Sequence, residues 1–240
     1  MIMKHFITTL CAAAAIFGAT AAEYVRPEVT IRKADYKCPP ECSPLCGNIF
    51  RVQAWKPEDF NRLPSEQAAL RCSMDKENLY IEVYMQDKDI LSEAVNNKSP
   101  KLYNLADAVQ ILLHCEKQPD IWEINVTSNS MSNCFLMPGA GAALPICSET
   151  FNYKYEVSLE GTLNNSKDID KSWSVKVTVP LSELRRKGLL FTESENWTIL
   201  VYRNNYGLYL TGREHSCFPQ TLRNVYETAR FAKLVFPKEK

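Results

Sequence analysis

A two-residue hydrophobic period constrains this chain more than any other feature. Phe151, Tyr153, Tyr155, Val157 and Leu159 alternate without a break with Asn152, Lys154, Glu156, Ser158 and Glu160. Successive side chains of a β-strand point to opposite faces, so this pattern puts one face on a core and the other toward water or a partner. The same period runs through Leu79, Ile81, Val83 and Met85, and through Val109, Ile111, Leu113 and Cys115. It returns in Trp122, Ile124 and Val126, in Trp173, Val175, Val177 and Val179, and in Trp197, Ile199 and Val201. Trp122, Trp173 and Trp197 fall on the inward phase and are expected in the core.

Turn-forming residues separate these runs: Asp75-Lys76-Glu77-Asn78, Asn96-Asn97-Lys98-Ser99-Pro100 and Asn164-Asn165-Ser166. Helical pattern is scarce. Pro180 to Gly188 reads as one or two turns closed by Gly188, and Lys56 to Phe60 as another short turn. Many strands with few helices imply an all-β chain, an antiparallel β-sandwich of immunoglobulin or jelly-roll type. With 28 basic and 28 acidic residues the formal net charge is zero. That argues against a broad electrostatic grip on nucleic acid or an anionic membrane.

The N-terminus reads as an export signal. Lys4 and His5 precede a short apolar run from Phe6 to Phe17, and small residues follow from Gly18 to Ala22. We therefore expect a signal peptide over residues 1–22 and a single sandwich domain over 23–240. The expected location is secreted or periplasmic, without membrane attachment after signal removal. The Cys/Pro-rich stretch 37–46 reads as a decoration of the sandwich. Removing the signal takes Cys11 and leaves eight cysteines: Cys38, Cys42, Cys46, Cys72, Cys115, Cys134, Cys147 and Cys217. An even number in an exported chain favours disulfides, with Cys134 and Cys147 the favoured pair across a Gly/Ala/Pro loop. The spacing of Cys38, Cys42 and Cys46 fits neither a common zinc nor an iron–sulfur pattern.

Motifs for catalysis are missing. The chain holds no Gly-x-Ser-x-Gly elbow, no His-Glu-x-x-His and no phosphate loop. His114 alternates with an apolar face, and Met74 and Met85 point inward, so no haem pocket is defined. No cofactor is expected. A glycoside hydrolase needs just two carboxylates, and the sequence pairs none of its acidic residues.

Several segments resemble family 9 carbohydrate-binding modules, a DOMON-like sandwich family. Asp75 to Val83, followed by Asp87-Lys88-Asp89-Ile90, is similar to that family's early strand and Asp-x-Asp-Ile turn. Asp107-Ala108-Val109-Gln110-Ile111-Leu112-Leu113 and Trp122-Glu123-Ile124-Asn125-Val126 resemble its next two strands. Trp173 to Leu184, Trp197 to Arg203 and Ala229 to Phe236 resemble its later segments, in family order. The resemblance covers roughly residues 48–236. It implies a non-catalytic sugar-binding sandwich acting in carbohydrate catabolism, usually beside a glycoside hydrolase. It also admits a structural calcium near Asp87 and Asp89.

The family clamps a terminal sugar between two tryptophans. This chain has Leu102-Tyr103-Asn104 and Asn224-Val225-Tyr226-Glu227 at those positions. The resemblance therefore places sugar on Tyr103 and Tyr226. Gln110, Glu123, Asn104 and Arg203 become candidate polar contacts, and Trp55 a further platform. Tyrosine serves that role because its ring is flat, apolar on its faces and polar at its tip. Gln110 stands where the family has an acidic residue. The alternatives are a disulfide-stabilised sandwich that binds another protein, and a hydrolase with an unrecognised site.

Overall fold

The computed structural model describes residues 24–36, 43–99, 101–137, 149–210, 212–222 and 224–238. The proposed signal, Cys38, Cys42 and Cys147 lie outside them. The strands are β1 (Glu28–Lys33), β2 (Asn48–Ile49), β3 (Arg51–Val52), β4 (Ala68–Met74), β5 (Asn78–Gln86), β6 (Ala108–Cys115) and β7 (Ile121–Thr127). They continue as β8 (Ser132–Met137), β9 (Lys154–Glu160), β10 (Ser172–Pro180), β11 (Trp197–Asn205), β12 (Glu214–Phe218) and β13 (Ala232–Val235). Every run assigned by its two-residue period contains a strand, although β9 begins at Lys154 and leaves Phe151 to Tyr153 ahead of it. The expected turn after Pro180 is the short helix α1 (Leu181–Leu184) with a 3-10 turn at Arg186–Gly188. Gly188 takes φ +79°, where a side chain would be strained. The turn expected near Lys56 is a 3-10 turn at Pro57–Asp59.

The strands form one curled sheet in the order β8-β7-β6-β11-β13-β1-β4-β5-β10-β9. It folds over into two packed layers, an all-β sandwich. β1 makes the fold-over. Its first half (Glu28 to Thr30) pairs with β13, and its second half (Ile31 to Lys33) with β4. Both pairings are parallel, in a sandwich whose other strand pairings are antiparallel as expected. A parallel pair needs a long connection, and the chain between β1 and either partner supplies it.

The core lies between the layers. Val29, Ile31, Leu79, Ile81, Met85, Ile111, Leu113, Ile124, Val177 and Ile199 are fully buried there. Each such side chain contributes roughly 1.5–3 kcal/mol of transfer free energy. Trp122, Trp173 and Trp197 are buried as expected. Trp122 and Trp197 pack with ring centroids 5.2 Å apart. Each indole N–H finds an acceptor: Glu183 O for Trp122 at 3.3 Å, Asp87 Oδ2 for Trp173 at 3.1 Å and Leu190 O for Trp197 at 2.7 Å. A buried indole left unpaired would carry a desolvation cost instead.

The disulfide framework expected from the cysteine count is not formed among the described residues. Cys46, Cys72, Cys115, Cys134 and Cys217 are free thiols. Cys134 donates to Phe151 O at 3.2 Å and Cys115 to Glu195 O at 3.2 Å. Both behave as small core residues. No helix among the described residues is long and apolar enough to cross a membrane.

Candidate functional site

In β6, β7 and β11 both faces are buried, which a simple in–out alternation does not anticipate. One face meets the inter-layer core. The opposite face is split in two. Leu112, Ile121, Met137, Leu200, Tyr202, Cys217 and Phe231 form a second apolar cluster, with Val225 and Tyr226 packed against it. Beside it lies a polar island: Gln110 on β6, Glu123 and Asn125 on β7, and Asn204 on β11. All four are at most 2% exposed. Register places them together, because Gln110 pairs with Asn125 on one side and Tyr202 on the other.

Hydrogen bonds join the island. Glu123 Oε1 accepts from Asn125 Nδ2 at 2.9 Å and from Gln110 Nε2 at 3.3 Å. Glu123 Oε2 accepts from the Tyr226 hydroxyl at 3.0 Å. Asn204 Nδ2 donates to Gln110 Oε1 at 3.5 Å, and Asn125 Nδ2 also donates to Asn133 Oδ1 at 3.0 Å. Asn125 Oδ1 is buried with no partner. Tyr103, on a 3-10 turn at Leu102–Asn104, and Tyr226 are both half-buried. Each ring is close enough to Glu123 to feel its charge.

Burial pushes the Glu123 carboxyl up, and its three donors oppose that shift. Burial, then the Glu123 charge, raises the phenols of Tyr103 and Tyr226. Tyr202 donates to Gln53 Oε1 at 2.5 Å. His215 lies 5.5 Å from the Tyr202 ring. Burial and the Arg213 charge hold its imidazole down at about 4, so it is neutral near pH 7.

Of the sequence-derived contacts, Gln110, Glu123, Tyr103 and Tyr226 thus converge. Three do not. Arg203 is fully buried on the opposite face of β11. It donates to Gln86 O at 2.7 Å, Glu66 O at 3.1 Å and Asp87 Oδ2 at 3.1 Å. Strand parity excludes it from the island, since Tyr202 and Asn204 share a face and Arg203 takes the other. Asn104 turns away: its Oδ1 accepts from Arg213 at 3.1 Å, and it lines a separate cavity of about 520 Å³ with Leu91, Ala106 and Tyr206. Trp55 is 55% exposed, and no ring contact or hydrogen bond among the described residues ties it to the island. Asn125 and Asn204 were missed. Asn125 had a signal, standing two positions from Glu123 on the same strand face; Asn204 had a weaker one, two positions from Tyr202, which pairs with Gln110.

The carboxylates near Asp87 do not fit a calcium site. Asp87 is spent on Arg203, Trp173 and the Asp89 N–H; Asp89 Oδ2 accepts from Leu208 N at 2.8 Å. Calcium takes six to eight oxygens, and no group of three or more metal-ligating residues occurs among the described residues.

Three solved structures share this architecture. A candidate carbohydrate-binding protein of Bacteroides uniformis aligns with TM-score 0.58 and 12% identity, over 88% of this chain and 99% of its own. A family 9 carbohydrate-binding module of Caldicellulosiruptor kristjanssonii, in complex with cellotriose, aligns with TM-score 0.57 and 12% identity, over 89% and 95%. This chain has the family 9 fold. A structure of a family 9 module of the same organism with glucose gives TM-score 0.52 and 12% identity, over 89% and 97%. No family model and no curated protein sequence matches the chain. The family 9 likeness is therefore one of architecture rather than of residue identity.

Proposed function

We propose that this protein is an exported, non-catalytic carbohydrate-binding module whose sugar sits between Tyr103 and Tyr226, over Glu123 and Gln110. The observation that carries the reading is the polar island. Amides and a carboxylate are buried on a sheet face that is otherwise apolar, and two half-buried tyrosines stand beside them. Aromatic faces match the C–H face of a pyranose, and oriented amides and carboxylates match its hydroxyls. Two solved structures of this fold are family 9 modules in complex with cellotriose and with glucose. A non-catalytic role is favoured because glycosidases flank the scissile bond with two carboxyl groups, and Glu123 is the island's single acid. Its natural setting is then beside a glycoside hydrolase outside the cytoplasm.

Titration calorimetry of the mature protein against a panel of cello-oligosaccharides and other glycans tests the reading. Tyr103→Ala should abolish heat of binding while leaving the melting temperature nearly unchanged. Tyr226→Phe keeps the ring and removes the donor to Glu123, so binding should weaken without vanishing. Unchanged affinity in Tyr103→Ala would move the site elsewhere, with the exposed Trp55 the next residue to vary.

A further inference from the structure

Glu123 stands apart from the other buried acids. Asp59, Glu66, Asp87, Asp120, Glu183 and Glu195 each have a basic partner within salt-bridge distance. Asp89, Asp107 and Asp170 accept backbone N–H groups. Glu123 is 2% exposed, and its partners are the neutral side chains of Gln110, Asn125 and Tyr226. No ion pair reaches it among the described residues. Arg213, whose charge is felt at Tyr202 and His215, is engaged with Asn104 and lies 4.4 Å over the Tyr206 ring.

The surroundings favour positive charge. A carboxylate offers about four acceptor positions, and three are filled. Asn125 Oδ1 adds an unpartnered acceptor on a fully buried residue. Aromatic faces carry negative potential, and rings beside a carboxylate are a common receptor for ammonium groups. A neutral hexose would satisfy the acceptors but leave the charge uncompensated. A uronic acid would bring a second negative charge to it.

We infer that the sugar taken at this site carries an ammonium group, so that its class is an amino sugar rather than a neutral hexose or a uronic acid. The inference rests on the sugar-site reading above. Titration of the mature protein with glucosamine, glucose and glucuronate near pH 7 tests it. Glucosamine should bind about tenfold or more tighter than glucose, with glucuronate weakest. In Glu123→Gln the ratio of glucosamine to glucose affinity should collapse toward one, with a melting curve to show that the variant is folded. Equal affinity for glucose and glucosamine in the wild type overturns the inference and leaves the sugar reading standing. Failure of all three sugars to bind, while another glycan in the wider panel does, also overturns the inference alone. Failure of every glycan removes both.

Discussion

Replacing Arg203 by methionine separates two roles for this residue, sugar contact and structural ion. The guanidinium is fully buried and bonded to Gln86 O, Glu66 O and Asp87 Oδ2. Removing one partner of a buried ion pair leaves an uncompensated charge and costs roughly 3–5 kcal/mol. Asp87 makes the cost depend on pH. Burial lifts its carboxyl from 3.8 to about 6, although Arg203 opposes the shift. The folded state thus binds this proton more tightly than the unfolded chain. Stability from Asp87 is fully present below about pH 3.8 and is lost as pH rises through about 6, a swing of roughly 3 kcal/mol. Without Arg203 the carboxyl must rise further, so the swing steepens. Urea unfolding at pH 7.5 and pH 5 reads this directly. Arg203→Met should lose ~3–5 kcal/mol at the higher pH and distinctly less at the lower. An equal loss at both would refute Asp87 as its electrostatic partner. Near-native stability with abolished sugar binding would refute the structural role altogether.

Three further outcomes follow from burial. Trp122→Ala should destabilise by ~3–5 kcal/mol in chemical denaturation, since it removes a fully buried indole against Trp197. Cys72, Cys115 and Cys217 should resist alkylation until the chain unfolds, because burial raises each thiol, that of Cys217 to about 11. Mass spectrometry after labelling in denaturant without reductant checks this, and a buried cysteine still unlabelled there would indicate a bridge. Asn125 begins an Asn-Val-Thr sequon but is fully buried, whereas Asn196, before Trp197 and Thr198, is exposed. Expression through a eukaryotic secretory route should leave Asn125 unglycosylated, as peptide mapping would show.

Strand content was legible because the inward residues of β5, β9 and β10 contrast with polar outward ones at every step. Most of the candidate site was legible for a different reason. Tyr103, Gln110, Glu123 and Tyr226 were reached through resemblance, not through period. Arg203 was misplaced although its own strand argued against it. Trp197, Ile199, Val201 and Arg203 share one phase, and that phase points into the core. An arginine there is a polar residue on an apolar face, which reads as exposed until its buried partner Asp87 is found some 120 positions away. The parallel pairings of β1 left no local mark, since strand direction depends on partners distant in sequence. Cysteine number leaves the role of each thiol open: buried cysteine packs as a small apolar residue, and counting cannot distinguish that use from a bridge.

The double pairing of β1 also dictates when the protein can finish folding. One half of this strand meets β4 soon after both are made, but Val29 waits for Leu234, about 200 positions later. Closing so long a span is entropically dear, and contacts of this kind slow folding. A ribosome-bound chain can therefore assemble β4, β5, β9 and β10 while the opposite layer still lacks its seam. Closure of this seam falls to β13, which follows the other described strands in sequence. Truncation just before Ala232 would leave the clasp undone even though most strands were intact.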